Sequence, residues 1–163
     1  LYADENGRVE SWMGICHGWA PASYSDQRPQ KTITLKAYDG NGRLVGMYTA
    51  TMGSTHDPLP LGKWKITGVA RNPPFHYNPK LFWDASPGDK AAMLPPGPNG
   101  PVGVVWIDLS KPHYGIHGTP KPEDVGRTES HGCFRLANWD ARTLLTLAWT
   151  GMPVEVVSGD IAN

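Results

Sequence analysis

Between Thr32 and Ala37, apolar Ile33, Leu35 and Ala37 alternate with Thr32, Thr34 and Lys36, and the run ends in Asp39-Gly40-Asn41-Gly42. A period of two belongs to a half-buried strand. Paired Asp-Gly and Asn-Gly steps bend a chain back into a hairpin, so Leu44 to Thr51 is the returning strand. Gly62 to Val69 alternates again, Val102 to Leu109 is a largely apolar run suited to a central strand, and Pro153 to Val157 closes as a last strand. One segment alone has helical spacing: Ala141, Leu144, Leu145 and Ala148 share a face, with Asn138 placed to cap it and Gly151 to stop it. Many short strands and one principal helix predict a mainly β fold, a sandwich or open barrel.

Gly (19) and Pro (16) are abundant among the 163 residues but aperiodic, which suits a loop-rich β fold and excludes collagen. An apolar content of 39% excludes a wholly disordered chain. Fifteen basic residues balance fifteen acidic ones without a Lys/Arg cluster, so the footprint of a nucleic-acid partner is missing. No run approaches the ~18 consecutive apolar residues of a transmembrane helix. The length predicts one domain at 31–157, an N-terminal appendage at 1–30 carrying Trp12, Met13, Ile15 and Trp19, and a tail at 158–163. The chain opens at Leu1, as a processed or trimmed chain would. Residues 72–101 are dense in Pro, Gly, Asn and aromatics; a stretch that long without regular structure is expected to be functional.

The chemistry concentrates in Ile116-His117-Gly118-Thr119-Pro120 and Ser130-His131-Gly132-Cys133-Phe134-Arg135-Leu136. A cysteine nucleophile needs a base within reach of its thiol proton and backbone N–H groups for the developing oxyanion. In an extended segment His131, Cys133 and Arg135 project together, with Gly132 admitting a ligand to the backbone. Pro and Gly in the loop 118–128 can also return His117 to the same thiol, so the spacing leaves either histidine as the base. A histidine base predicts an activity limb in histidine's ordinary pH range. A zinc site on His113 and His117 competes, but Pro112 and Gly115 argue for an extended chain. Four extended residues cover about 13 Å, too far for two ligands of one metal. Neither a metal nor a cofactor is expected.

The His117-Gly118-Thr119 and Ser130-His131-Gly132-Cys133-Phe134-Arg135-Leu136 pair resembles the signature of the L,D-transpeptidase catalytic domain, the YkuD family. Pro60-Leu61-Gly62-Lys63-Trp64, the Pro96 to Gly103 segment and Trp106-Ile107-Asp108-Leu109 extend the resemblance across 31–157, although Leu59 stands where Thr is common. The resemblance implies that fold and a cysteine acyltransferase acting on peptidoglycan stem peptides. The enzyme would release the terminal D-Ala of a tetrapeptide and form 3–3 cross-links with an amine acceptor. By position it implies Cys133 as nucleophile, His117 as base, Ser130 and His131 as organisers and Gly132 with Cys133 as oxyanion donors. Arg135, Gly118, Thr119, Tyr77 and Trp83 would meet the substrate, with Tyr77, Trp83 and Pro95 to Gly100 walling its cleft. It further implies inhibition by carbapenems and other β-lactams, and export to the periplasm or cell envelope. A disulfide would silence the nucleophile there, so Cys16 and Cys133 are both expected to be free thiols.

The same resemblance admits an L,D-carboxypeptidase, a wall-protein anchoring enzyme or a non-catalytic peptidoglycan-binding module. A zinc peptidase on the same stems would need the metal site weighed above. Gly14-Ile15-Cys16-His17-Gly18-Trp19 departs from the pattern and resembles the nucleophile segment of transglutaminase-like elicitor proteins, but thirty residues cannot supply that family's remaining triad.

Overall fold

A computed structural model describes residues 32–158. The expected hairpin is its first feature. Strand β1 (Thr32–Tyr38) pairs antiparallel with β2 (Leu44–Thr51). The turn closes through Asp39, whose carboxylate accepts from the N–H groups of Asn41 and Arg43, while Gly42 takes φ +78. There follow β3 (Gly62–Arg71), β4 (Phe75–Tyr77), β5 (Ala92–Leu94), β6 (Val105–Leu109), β7 (Gly115–His117), β8 (Phe134–Arg135), the helix α1 (Asn138–Leu147) and β9 (Pro153–Val156).

Seven strands form one mixed sheet in the order β1-β2-β8-β7-β6-β3-β9, with β7 and β8 its parallel pair. The long strand β3 serves two partners. Its first half, Gly62 to Lys65, pairs with β9, and its second half pairs with β6 beyond an irregularity between Ile66 and Gly68. A strand that changes partner along its length curls the sheet, giving the open, sandwich-like β architecture that the alternation predicts.

Alternation then decides which face does what. Val105, Ile107 and Leu109 of β6, Ile116 of β7 and Phe134 of β8 all point into the core, with Ile107 fully buried. Ala141, Leu144 and Leu145 of α1 cover that face. The intervening residues, Trp106 and Asp108 on β6, Gly115 and His117 on β7 and Arg135 on β8, stand on the opposite face. Chemistry and core are therefore two faces of the same three strands.

Two expectations need correction. Asn138 does not cap the helix: Ala137 is the N-cap residue, without a side-chain cap bond. The Asn138 amide is used elsewhere, its Oδ1 accepting from Val104 N–H at 3.1 Å and its Nδ2 donating to the Pro98 carbonyl at 3.2 Å. Residues 72–101 are also less irregular than their composition suggests. Within them β4 and β5 pair as a separate two-stranded sheet, and Asn78 caps a short 3-10 turn at Pro79–Leu81.

Candidate active site

Cys133 lies immediately before β8, and the parallel register Ile116↔Phe134 and His117↔Arg135 brings it opposite Gly115. The Gly115 N–H bonds the sulfur. His117 is one diagonal step away on the same face. The fold thus brings together two residues that are separated by a loop in the chain. Cys133 is a free thiol, and Cys16 lies outside the described residues.

His117 is 7% exposed. Its Nδ1–H donates to the Gly118 carbonyl at 2.6 Å; because a carbonyl only accepts, this bond fixes the proton on Nδ1 and leaves Nε2 bare. The Trp106 ring stacks on the imidazole, centroids 5.5 Å apart and planes at 20°. Burial pushes the imidazole down to about 4, the Gly118 bond opposes that shift and the nearby Arg135 guanidinium adds to it. Burial likewise pushes the Cys133 thiol up to about 11, with Gly115 and Arg135 pulling it back and Asp57 and Asp108 adding to the rise. The resting pair is therefore a neutral thiol and a neutral imidazole. The thiol proton points to the His113 carbonyl at 3.6 Å, so the S–H must rotate before Nε2 can take it.

The extended run 131–135 read from the sequence does not form. Gly132 has φ +88, which breaks the alternation, and a Cβ there would meet the Tyr114 ring at 2.9 Å. His131 accordingly leaves the thiol side: its Nε2 pairs with Asp84 Oδ1 at 2.8 Å and its ring packs against Phe82 and Trp83. Ser130 is buried and stitches the turn to the end of β2. It accepts from Gly53 N–H at 2.9 Å and donates to the Cys133 carbonyl at 2.8 Å, while its own N–H bonds the Gly53 carbonyl. Ser130→Ala should lower stability by about 1–3 kcal/mol by stranding those groups. A urea unfolding midpoint equal to that of the parent would show that this bridge contributes nothing.

Other expected site residues fall at different depths. Arg135 is half-buried, its charge disfavoured by burial but supported by Asp124 and the Cys133 sulfur. Trp83 is 52% exposed and stacked on His56 beside His131. Tyr77 is one layer back, donating to Asp89 and packing on Phe82. Gly118 and Thr119, expected to contact substrate, are buried, as His117 is. The Gly118 carbonyl orients His117, and a Cβ on Gly118 would overlap the Asn138 amide. Thr119 Oγ1 accepts from Lys121 N–H.

Sequence reasoning missed Asp84, the Gly53 backbone and the His113 carbonyl, none of which has a local signal. His113 enters through its main chain, at φ +67, and not through its imidazole. Among the described residues no group of three or more His, Cys, Asp or Glu is placed to hold a metal, and no helix is long and apolar enough to cross a membrane. A groove of about 820 Å³ lies elsewhere, on the core side between β1, β9 and α1.

Comparison with known proteins agrees with this fold. The chain is 44% identical over 123 residues to the L,D-transpeptidase YkuD of Bacillus licheniformis, covering 76% of this chain and 59% of that protein. It is 31% identical over 126 residues to the YkuD protein of Bacillus subtilis, covering 77% and 60%. The chain therefore spans about three fifths of the length of these curated relatives. The fold superimposes on LD transpeptidase LdtMt1 in complex with imipenem, with TM-score 0.58, 19% identity, and 76% and 54% of the two chains covered. It also superimposes on the Ldtfm-avibactam carbamoyl enzyme, with TM-score 0.60, 19% identity and 79% and 46% coverage. The model of the YkuD family, described as the L,D-transpeptidase catalytic domain, matches residues 26–156, and by that span the chain belongs to that family.

Proposed function

We propose that this protein is a cysteine acyltransferase that takes its acyl group from a peptidoglycan tetrapeptide stem and passes it to an amine, making 3–3 cross-links in the cell envelope. The observation that carries this reading is the register that sets Cys133 and His117 on one face of the parallel β7–β8 pair, with the imidazole proton held on Nδ1 by the Gly118 carbonyl. An imidazole held this way is ready to accept a proton at Nε2.

In the first half-reaction Sγ attacks the carbonyl carbon of the third stem residue. As the S–C bond forms, the thiol proton passes to Nε2 of His117, and the oxyanion is received by the Gly132 and Cys133 N–H groups. Collapse breaks the C–N bond to the terminal D-Ala, whose nitrogen takes the proton back from Nε2. In the second half-reaction an amine attacks the thioester, gives its proton to Nε2 and displaces the thiolate, which recovers that proton. A thiol at about 11 facing an imidazole at about 4 favours proton transfer in step with attack over a resting ion pair. Arg135, beside the thiol, is the group assigned to a stem carboxylate. Exposed Trp83 is assigned to one wall of the cleft. Substrate of this kind lies outside the cytoplasmic membrane, and export follows from it.

Incubation with defined tetrapeptide muropeptides, read by mass, tests the proposal. Loss of D-Ala with a dimeric product is expected; loss of D-Ala alone means hydrolysis, and unchanged tetrapeptide overturns the assignment. The imipenem and avibactam complexes of the structural relatives support a second test. Excess carbapenem should leave a covalent adduct on Cys133 by intact mass, because a thiolate opens the strained acyl group. Unmodified protein after long exposure contradicts a competent nucleophile.

A further inference from the structure

Beside the base, β6 carries two residues that the proposed chemistry leaves unused. Trp106 is opposite His117 in the antiparallel β6–β7 register, and Asp108, two residues on, shares its face. The Trp106 indole N–H donates to Asp108 Oδ1 at 2.5 Å, and the same indole lies on the imidazole at 20°. Both neighbouring strands make room for this pair with a glycine. On β7 a Cβ at Gly115 would meet Trp106 Cζ2 at 2.7 Å, and on β3 a Cβ at Gly68, registered opposite Asp108, would meet Asp108 Oδ2 at 3.2 Å. Two bare positions flank two large side chains.

We propose that Asp108 and Trp106 are positioning residues. The carboxylate locks the indole, and the indole holds the His117 ring in the plane that aims Nε2 at the thiol and keeps water off that ring face. Gly118 fixes one end of the imidazole, but a single hydrogen bond leaves the ring free to tilt about it; the stacked indole removes that freedom. This inference rests on His117 being the base. The charged group that acts on the ring is Arg135 from β8, which also acts on the Cys133 thiol together with Asp57 and with Asp108 from β6.

The test uses the full chain and two readouts. Asp108→Ala and Trp106→Phe each remove the bond while leaving the sheet residues in place. Each should lower kcat about tenfold with KM little changed, short of the ~10²-fold that a 1 Å misplacement costs. Because they break one interaction, the double variant should be no slower than either single one. Asp108→Asn keeps an acceptor oxygen and should restore most of the rate. Asp108→Ala and Asp108→Asn both remove the carboxylate charge near Cys133, so their difference isolates the bond. The second readout is independent of turnover: the His117 ring signals, followed by NMR across pH, should titrate higher in Asp108→Ala than in the parent protein as water reaches the ring. Multiplying kinetic effects, or an Asp108→Ala protein with parent kinetics and parent titration, would overturn the brace. If His117→Ala retains turnover, the base assignment fails, while the titration still reports whether the brace exists.

Discussion

Replacement of Cys133 by Ala should reduce acyl transfer from a tetrapeptide donor by at least about 10⁴-fold, the scale on which loss of a nucleophile acts in enzymes of this logic. No other described residue can replace it, since it is the free thiol among them and sits where Gly115 N–H can meet the sulfur. The variant should fold, because the change removes one sulfur from a half-buried position and Ser130 keeps its bond to the residue's carbonyl. A circular-dichroism melt separates the two effects. The carbapenem adduct should disappear together with activity. Cys16→Ala should keep both; the reverse pattern, with Cys16 essential and Cys133 dispensable, would place the chemistry in the N-terminal region.

The second large effect is expected at His117. His117→Ala and His117→Gln should each cost roughly 10²–10⁴-fold in kcat/KM, the usual worth of a general base. Parent enzyme should lose activity only as pH falls toward about 4, because burial keeps the imidazole neutral well below histidine's ordinary range. This displaces the limb that the residue type alone suggests, near 6.5, by about two and a half pH values. Stability shares the shift. Between pH 6.5 and 4 the unfolded chain protonates this histidine while the folded chain does not, so folding free energy is lost as pH falls, by up to about 3 kcal/mol. A kcat/KM profile centred near 6.5 would show that the ring is solvated in solution. EDTA should have no effect and His113→Ala a mild one, since His113 presents its carbonyl to the thiol. Recovery of chelated protein on adding zinc would overturn the cysteine mechanism.

Much of the fold is legible in the residues alone. Alternation at Ile33, Leu35 and Ala37, the Asp39 to Gly42 turn and the spacing of Ala141, Leu144 and Leu145 are local patterns, and local patterns become strands, hairpins and helix faces directly. Cys133 and the two candidate histidines are visible for the same reason: rare, reactive residue types crowded around glycines. Asn138 misleads because an Asn before an apolar helix face has the pattern of a cap, while a distant demand, from Val104 and Pro98, takes its amide. The small β4–β5 sheet is hidden by short strands that carry too few residues for a period to register.

Which histidine stands on the same side of the sheet as the thiol is beyond the residues taken singly. His131 is two positions from Cys133 and His117 is across a loop, so proximity in the chain favours His131. The tertiary structure reverses this through two facts of geometry: Gly132 at φ +88 turns His131 toward Asp84, and the parallel β7–β8 register carries His117 to the side of Cys133. It also sets the protonation behaviour, because desolvation depends on what packs around a group and not on its neighbours in sequence. Residue type supplies a thiol, an imidazole and the alternation that separates them from the core. Only folding, by pairing strands that are far apart in the chain, decides which imidazole shares a face with the thiol and, by burying both, favours their neutral forms.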